Sequence, residues 1–318
     1  MFLAALALAA QLELRTSPFV DLHFWVRHLA EQKEEIAQPK PVLDAVALAA
    51  VLDRDLGGPL GWGPIEGLFG DCKTAADALA AVVALPESLE LRPGQPVELR
   101  ARARRLVEAL AIAEPVFLEK VWPEHRASIE AARKKIDETF SPKSEACLAY
   151  VAEHLGLTPP DRAIPVLLVC EGPFPGAVTQ RDDAGRGVCF VAVQAAEGTQ
   201  LFECILHEAT HALDLATKSG SVLDDLRARL EEAGFTRRER LWRDVPHTLM
   251  FVQAGETIRR LVDPHHEHYG VVARYYDKVR AVADLELPVW IDHLDGKASR
   301  AEAVAKIAAG AAEARKPR

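Results

Sequence analysis

Two histidines and a glutamate stand at a spacing that can serve metal chemistry. His207, Glu208 and His211 belong to the sequence HEATH, which has the form HExxH. Residues four apart lie one above the other on the same face of an α-helix, so two imidazoles at this spacing can reach one metal ion. The spacing therefore predicts a metal site, provided that the segment is helical.

The segment from Thr199 to Ser219 has the apolar period of a helix. His207, His211 and Asp214 fall on roughly the side opposite to one apolar stripe. The stripe consists of Phe202, Ile205, Leu206, Ala209, Leu213 and Ala216. We expect such a helix to bury the stripe and to show its histidines to a cleft. The alternative is a helix whose histidines merely face water, but their place opposite the stripe favours the metal site.

Two histidines do not complete a catalytic zinc site, which needs three protein ligands and an open position for water. The best candidate for the third ligand is Glu256, in the middle of a predicted helix 45 residues after His211. The alternative is one of the histidines His247, His265, His266 and His268. As an oxyanion-stabilising group beside Glu256, His247 fits only if Pro246 begins the helix, because in a continuous helix the two residues point about 180° apart.

The N-terminal half of the chain has helical periods and concentrates no chemistry. A short strand comes first, and Ser17 and Pro18 then mark the start of a helix. Further helices are predicted at 42–52, 73–85, 96–121, 123–140 and 143–155, separated by proline and glycine.

The period changes from helical to extended after Pro159-Pro160. Short strands are predicted at 164–170, 176–180 and 187–193, just before the HExxH helix. Gly220 is predicted to end that helix in a left-handed conformation. Helices follow at 222–233, 246–262, 269–283 and 299–311, and Ser299 and Glu302 open the last one as a capping box.

A strand, an HExxH helix and a glutamate on a later helix together resemble the zincin metallopeptidases, specifically their gluzincin branch. The resemblance covers about Ala163 to Val282. It implies that His207 and His211 bind zinc, that Glu208 is the general base and that Glu256 is the third ligand. The metzincin pattern is absent, because Asp214 and Thr217 stand where its glycine and third histidine would be.

The predicted fold class is therefore α+β, mainly α. A helical N-terminal region of unknown role, 11–158, is followed by a zincin-like catalytic domain, 159–318, with a small sheet, the HExxH helix and C-terminal helices. Such a site also needs a group to stabilise an oxyanion, commonly Tyr or His. The candidates are His247, His265, His266, His268, Tyr269, Tyr275 and Tyr276. Asp214 is a candidate to orient a ligand imidazole.

The predicted function is zinc-dependent hydrolysis of peptide bonds in a peptide or protein substrate. Zinc lowers the pKa of a bound water, and Glu208 takes its proton and passes it to the leaving amine. One alternative is another zinc amidohydrolase, acting on a small molecule. A second is a zincin-like binding protein that has lost catalysis, but the intact Glu208 argues against it because a purely structural zinc does not need that carboxylate.

The composition narrows the partners and the compartment. A net charge of -9 and a pI near 5.7 argue against nucleic acid, which needs a clustered basic surface. The apolar residues 1–10 are too few to span a membrane and predict a signal peptide, hence export to the periplasm or the medium. The first basic residue is Arg15, so a cytoplasmic location is the alternative. Five cysteines include no CxxC pair, and Cys170 and Cys189 are candidates for one disulfide if the chain is exported.

Overall fold

The computed structural model describes residues 11–32, 37–92, 95–172 and 176–315. Over these residues the chain is α+β and mainly helical, as the sequence predicts. It divides into two compact units, one containing 13–137 and 164–197 and the other containing 138–163 and 198–315. This division differs from the predicted boundary between 158 and 159. The predicted catalytic domain included the strands that precede the HExxH helix. In the structure these strands form a sheet in the unit that contains the N-terminal helices.

The first unit combines helices with a hairpin and a sheet of four strands. Its elements are β1 (Leu12–Arg15), α1 (Pro18–Glu31), α2 (Lys40–Leu56), α3 (Gly63–Phe69), α4 (Ala75–Val82), β2 (Leu89–Arg92), β3 (Gln95–Val97), α5 (Leu99–Lys120), α6 (Trp122–Lys135), β4 (Ile164–Val169), β5 (Ala177–Arg181) and β6 (Gly187–Ala192). The Ser17 hydroxyl caps α1 by accepting from the Val20 N–H, as predicted. The hairpin of β2 and β3 and the short helix α3 are absent from the sequence prediction.

The sheet has the strand order β1-β4-β6-β5, with β4 parallel and β5 antiparallel to β6. The parallel register places Val166 opposite Cys189. Cys170 lies four residues farther along the chain, about 13 Å away at the rise of a strand. A disulfide needs Cα atoms within about 7 Å, so the predicted pairing of Cys170 with Cys189 is wrong. Both cysteines are free and buried.

A buried carboxylate joins three elements of the first unit. Asp21 on α1 is fully buried and accepts hydrogen bonds from the Cys170 backbone N–H (2.6 Å) and from His125 Nδ1 on α6 (2.7 Å). Burial lowers the pKa of His125, but the hydrogen bond and charge of Asp21 outweigh burial, so the net pKa is raised. Asp21 therefore ties α1 to α6 and to the end of β4.

The second unit is helical in its described residues, and it carries the HExxH motif. Its helices are α7 (Ser141–Leu155), α8 (Gly198–Ala216), α9 (Val222–Glu232), α10 (Arg240–Leu261), α11 (Tyr269–Val272), α12 (Tyr275–Lys278), α13 (Arg280–Leu294) and α14 (Arg300–Arg315). The helix α10 packs against α7, α8, α9, α11 and α13. Its residues 248–258 are all buried, as expected of a helix surrounded by others.

Two helical segments of the second unit differ from their predicted bounds, and one predicted helix cap is confirmed. The helix predicted at 269–283 is divided into α11, α12 and the start of α13, because Arg274 adopts a left-handed conformation with φ 55°. The helix α10 begins six residues before Pro246. The capping box is confirmed, since Ser299 Oγ accepts from the Glu302 N–H and Glu302 accepts from the Ser299 N–H.

Among the described residues, no helix combines the length and the apolar character that crossing a membrane requires. The apolar run at 1–10 lies outside the described residues, so a signal peptide and export stay predictions.

The Asp21→Ala variant should lower the free energy of unfolding by about 3–5 kcal/mol, because His125 and the Cys170 N–H lose a buried partner. Denaturant unfolding measures the change. The matched control is Asp44→Ala on α2, which removes an exposed ion pair with Lys40 and should cost no more than about 0.5 kcal/mol. Equal losses in the two variants would contradict the structural role of Asp21.

Candidate metal site

Three imidazoles from two helices converge in the second unit. His207 and His211 lie four residues apart on α8, and His247 comes from α10. One ligand atom of each lies within 4.8 Å of the others, and the Nε2 atoms of His207 and His211 are 3.1 Å apart. The His247 ring centroid is 5.1 Å from that of His207 and 5.2 Å from that of His211. Within the described ranges, this is the one group of metal-binding side chains brought together at such distances.

The spacing and the donor type of this three-histidine cluster fit a zinc ion. Nitrogen ligands at about 2.0–2.1 Å from a tetrahedral zinc lie about 3.4 Å from one another, so the distances in the cluster are already close to those of a site. Imidazole is a preferred ligand of zinc. The cluster could therefore supply three of the four positions of a tetrahedral site.

Burial keeps the three imidazoles in the form that binds metals. Burial lowers the pKa of His207 well below its ordinary value, that of His211 to about 3 and that of His247 to about 4. Repulsion between the imidazoles when they are protonated, and from Arg227 at His211, also lowers the pKa of His207 and His211. At neutral pH the three rings are therefore uncharged, and no proton has to leave before a metal binds.

The HExxH helix is more deeply buried than its apolar stripe predicts. Its residues 201–210 are all buried, and His207 is 2% exposed. The predicted stripe does pack inward, since the Phe202 ring stacks on Phe140. The histidine side is covered as well, because Phe251 of α10 stacks on His207 with ring centroids 3.7 Å apart. The histidines are therefore less open than predicted, and the cluster is exposed to solvent only at the half-buried His211 and His247.

Glu208 lies on α8 between the two histidines in sequence, and its side chain is buried. At about 100° per residue it is turned about 100° from His207 and about 60° from His211 around the helix. A carboxylate in this position can receive a proton from a group held at the histidines without being a ligand itself. Glu208 therefore has the position in the helix and the burial that a general base next to the histidines requires.

Glu256 is not brought to the histidines, contrary to the prediction that it is the third ligand. Its carboxylate accepts hydrogen bonds from Arg259 Nη2 (2.6 Å) and Arg260 Nε (3.2 Å) and contacts His268 Nε2 (3.1 Å). Burial by itself would raise the pKa of Glu256, but the hydrogen bonds and charges of His268 and Arg259 lower it to about 2. Glu256 is the anion of a buried ion-pair network.

The reason for this placement is the continuity of α10. The helix runs from Arg240 to Leu261 with Pro246 inside it, so the nine residues from His247 to Glu256 correspond to about 900°, or half a turn beyond two full turns. Because His247 faces α8, Glu256 faces away. His247, predicted only as one of four alternatives to Glu256, is the side chain that α10 brings to the cluster.

The remaining candidates divide between the cluster and the far side of α10. Tyr275 lies at the cluster, where its hydroxyl is 3.0 Å from His247 Nδ1. The other named residues lie elsewhere: His266 and the Tyr269 N–H bind Glu203, His268 binds Glu256, Tyr276 contacts His268, and His265 is exposed. Asp214 pairs with Arg227 of α9 (2.9 Å), so the structure gives it a partner other than a ligand imidazole.

Packing against His268 explains why residue 255, just before Glu256, is a glycine. A Cβ atom at this position would lie 2.6 Å from the His268 ring. The close approach of His268 to α10, and hence its contact with Glu256, needs the missing side chain. The Gly255-Glu256 pair is therefore accounted for by packing on the far side of α10.

Comparison of the chain with protein-family models, with curated proteins and with solved structures found no match in any of the three.

The His247→Ala variant should lose stoichiometric zinc, because only two ligands remain, whereas Glu256→Ala should keep it. Glu256→Ala should instead lower the free energy of unfolding by about 1–3 kcal/mol, since Arg259, Arg260 and His268 lose a buried hydrogen-bond acceptor. Metal analysis of the purified variants and denaturant unfolding separate the two effects.

Glu256→Gln is the control for a variant that fails to fold, because the amide keeps an acceptor for Arg259 while removing the charge. Zinc retained by His247→Ala, together with zinc lost from a folded Glu256→Gln, would show that the ligand assignment is the reverse of the one that the structure supports.

Proposed function

We propose that this chain is a zinc-dependent hydrolase in which His207, His211 and His247 hold the metal and Glu208 is the general base. The observation that carries the proposal is the convergence of a third imidazole, from α10, on the two histidines of an HExxH helix. A chance HExxH in a helix has no reason to meet a third neutral imidazole at ligand distances.

The roles of the residues follow from their chemistry. When bound, zinc supplies a Lewis acid that polarises a carbonyl oxygen and lowers the pKa of water. Three neutral imidazoles leave the metal its full positive charge, whereas a carboxylate ligand in place of His247 would reduce it. Glu208 takes a proton from the attacking water and returns it to the leaving amine. Its burial beside the ligands keeps bulk water from competing for that proton.

Peptide bonds are the substrate class that we propose. The support is the resemblance of the HExxH helix to that of the zincin metallopeptidases, together with the carboxylate of Glu208 next to His207 in the motif. The resemblance now rests on the motif His207-Glu208-His211 without the gluzincin glutamate, since Glu256 faces away from the site. A small amide is the second candidate, favoured by the fact that only His211 and His247 are open to solvent.

The Glu208→Gln variant should retain one zinc per chain and lose turnover by about 10²–10⁴-fold, because a general base is removed without loss of a ligand. The full-length chain is assayed against a peptide library and a panel of small amides, each with and without chelator. Cleavage of peptides by the metal-loaded wild type supports a peptidase, and cleavage of small amides alone supports the second candidate.

Two outcomes would contradict the proposed function. Turnover that persists in the presence of a chelator would exclude a metal mechanism. Turnover of Glu208→Gln equal to that of the wild type would exclude Glu208 as the base. The matched control is Glu239→Gln, which changes a partly exposed carboxylate at the N-cap of α10 and should leave both metal content and turnover unchanged.

A further inference from the structure

The third histidine has a hydrogen-bond partner that neither of the other two has. His247 Nδ1 lies 3.0 Å from the Tyr275 hydroxyl, and that hydroxyl lies 3.3 Å from Thr248 Oγ1. Thr248 is fully buried and Tyr275 is largely buried, so water does not replace either partner readily. Thr248, Tyr275 and His247 thus form a short chain of hydrogen bonds that ends at the cluster.

A histidine that binds a metal must present an unprotonated nitrogen to it. This requirement fixes which group donates in the hydrogen bonds between His247, Tyr275 and Thr248. A neutral imidazole carries its proton on one nitrogen only. With the proton on Nδ1, His247 donates to the Tyr275 oxygen, and Nε2 is left free for a metal. The Tyr275 O–H then needs an acceptor of its own, which Thr248 Oγ1 provides. If Tyr275 donated to Nδ1 instead, the proton of His247 would occupy Nε2.

Packing holds the Tyr275 ring over the cluster. Its centroid is 4.5 Å from that of Phe251, which stacks in turn on His207, and 5.7 Å from that of His247. Burial raises the pKa of Tyr275 to about 12, so the hydroxyl keeps its proton at neutral pH.

The backbone just before Tyr275 carries strain. Arg274 has φ 55°, the one positive φ outside glycine in the described part of the chain, and it is the residue that precedes α12. A non-glycine residue rarely adopts the left-handed region, because its Cβ atom crowds the backbone. The turn at Arg274 interrupts the helical path predicted for this segment and sets the direction from which Tyr275 reaches His247.

From these contacts we infer that Tyr275 is a positioning residue for the metal site. By accepting from Nδ1 of His247 and donating to Thr248, it holds His247 in the tautomer and orientation that present Nε2 to the metal. The inference rests on the proposed function for the identity of the site, but the tautomer of His247 is a property of the metal-free protein.

The test is the tautomer of His247, read from the ¹⁵N NMR spectrum of histidine-labelled, metal-free, full-length protein, together with the affinity for Zn²⁺ measured against a chromophoric chelator. The wild type should show His247 protonated at Nδ1. Tyr275→Phe should lose this single tautomer and bind Zn²⁺ about 10–100-fold more weakly. The control is Tyr276→Phe, which removes the adjacent hydroxyl from His268 and should change neither readout.

Substitution of Thr248 gives a second test, which addresses the direction of the hydrogen bonds. Thr248→Val keeps the tyrosine but removes its acceptor, so the Tyr275 O–H should turn to Nδ1 and move the His247 proton to Nε2. Zinc affinity should fall in Thr248→Val. Thr248→Ser keeps the accepting hydroxyl and should therefore retain the wild-type tautomer and affinity. A structural role of Thr248 alone would not change the tautomer in this direction.

The outcomes separate this inference from the proposed function. An unchanged His247 tautomer in both Tyr275→Phe and Thr248→Val would overturn the role of Tyr275, even if zinc binds as proposed. A wild type that binds no Zn²⁺ would overturn the proposed function, and the tautomer measurements would still decide the role of Tyr275. An Nε2-protonated His247 in the wild type would overturn the inference directly.

Discussion

The angular period of α10 is the constraint on which the second unit depends. A continuous helix from Arg240 to Leu261 can turn either His247 or Glu256 toward the HExxH helix, but not both, because nine residues separate them by half a turn. His247 is the one that faces α8. The geometry of the helix therefore excludes a site that includes both His247 and Glu256.

The two faces of α10 make different contacts. On one face His247, Thr248 and Phe251 meet α8 and Tyr275. On the opposite face Glu256 pairs with His268, and Gly255 provides the space for that ring. The segment after α10 is also bound through His266 to the buried Glu203 of α8. These hydrogen bonds tie the segment between α10 and α11 to α8 and α10, and the segment leads on to Tyr275 at the start of α12.

Much of the local structure could be predicted from the sequence, because its signals are local. The predicted strands at 164–170, 176–180 and 187–193 agree closely with β4, β5 and β6, and the Ser17 and Ser299 caps are where side-chain chemistry places them. His207 and His211 share a helix face because their spacing alone requires it. The α3 segment and the β2–β3 hairpin gave weaker signals, since each is short and rich in glycine and proline.

The parts that could not be predicted depend on tertiary structure. A proline favours the start of a helix, yet α10 extends six residues before Pro246, since the packing of α7, α8 and α9 around it outweighs the lost hydrogen bond. The same packing sets the rotation of α10, which turns His247 rather than Glu256 toward α8. The separation of Cys170 from Cys189 depends on strand register, and the assignment of the sheet to the first unit depends on contacts between distant segments. No local pattern reports either one.

The most direct test of the account is the position of a bound metal. Crystals of the full-length chain grown or soaked with Zn²⁺ are measured on both sides of the zinc absorption edge, so that anomalous scattering locates the ion without reference to the protein. The account predicts one strong peak with nitrogen atoms of His207, His211 and His247 at about 2.0–2.1 Å and no carboxylate of Glu256 in contact. A peak coordinated by Glu256, or strong zinc peaks elsewhere with none at the three histidines, would contradict it.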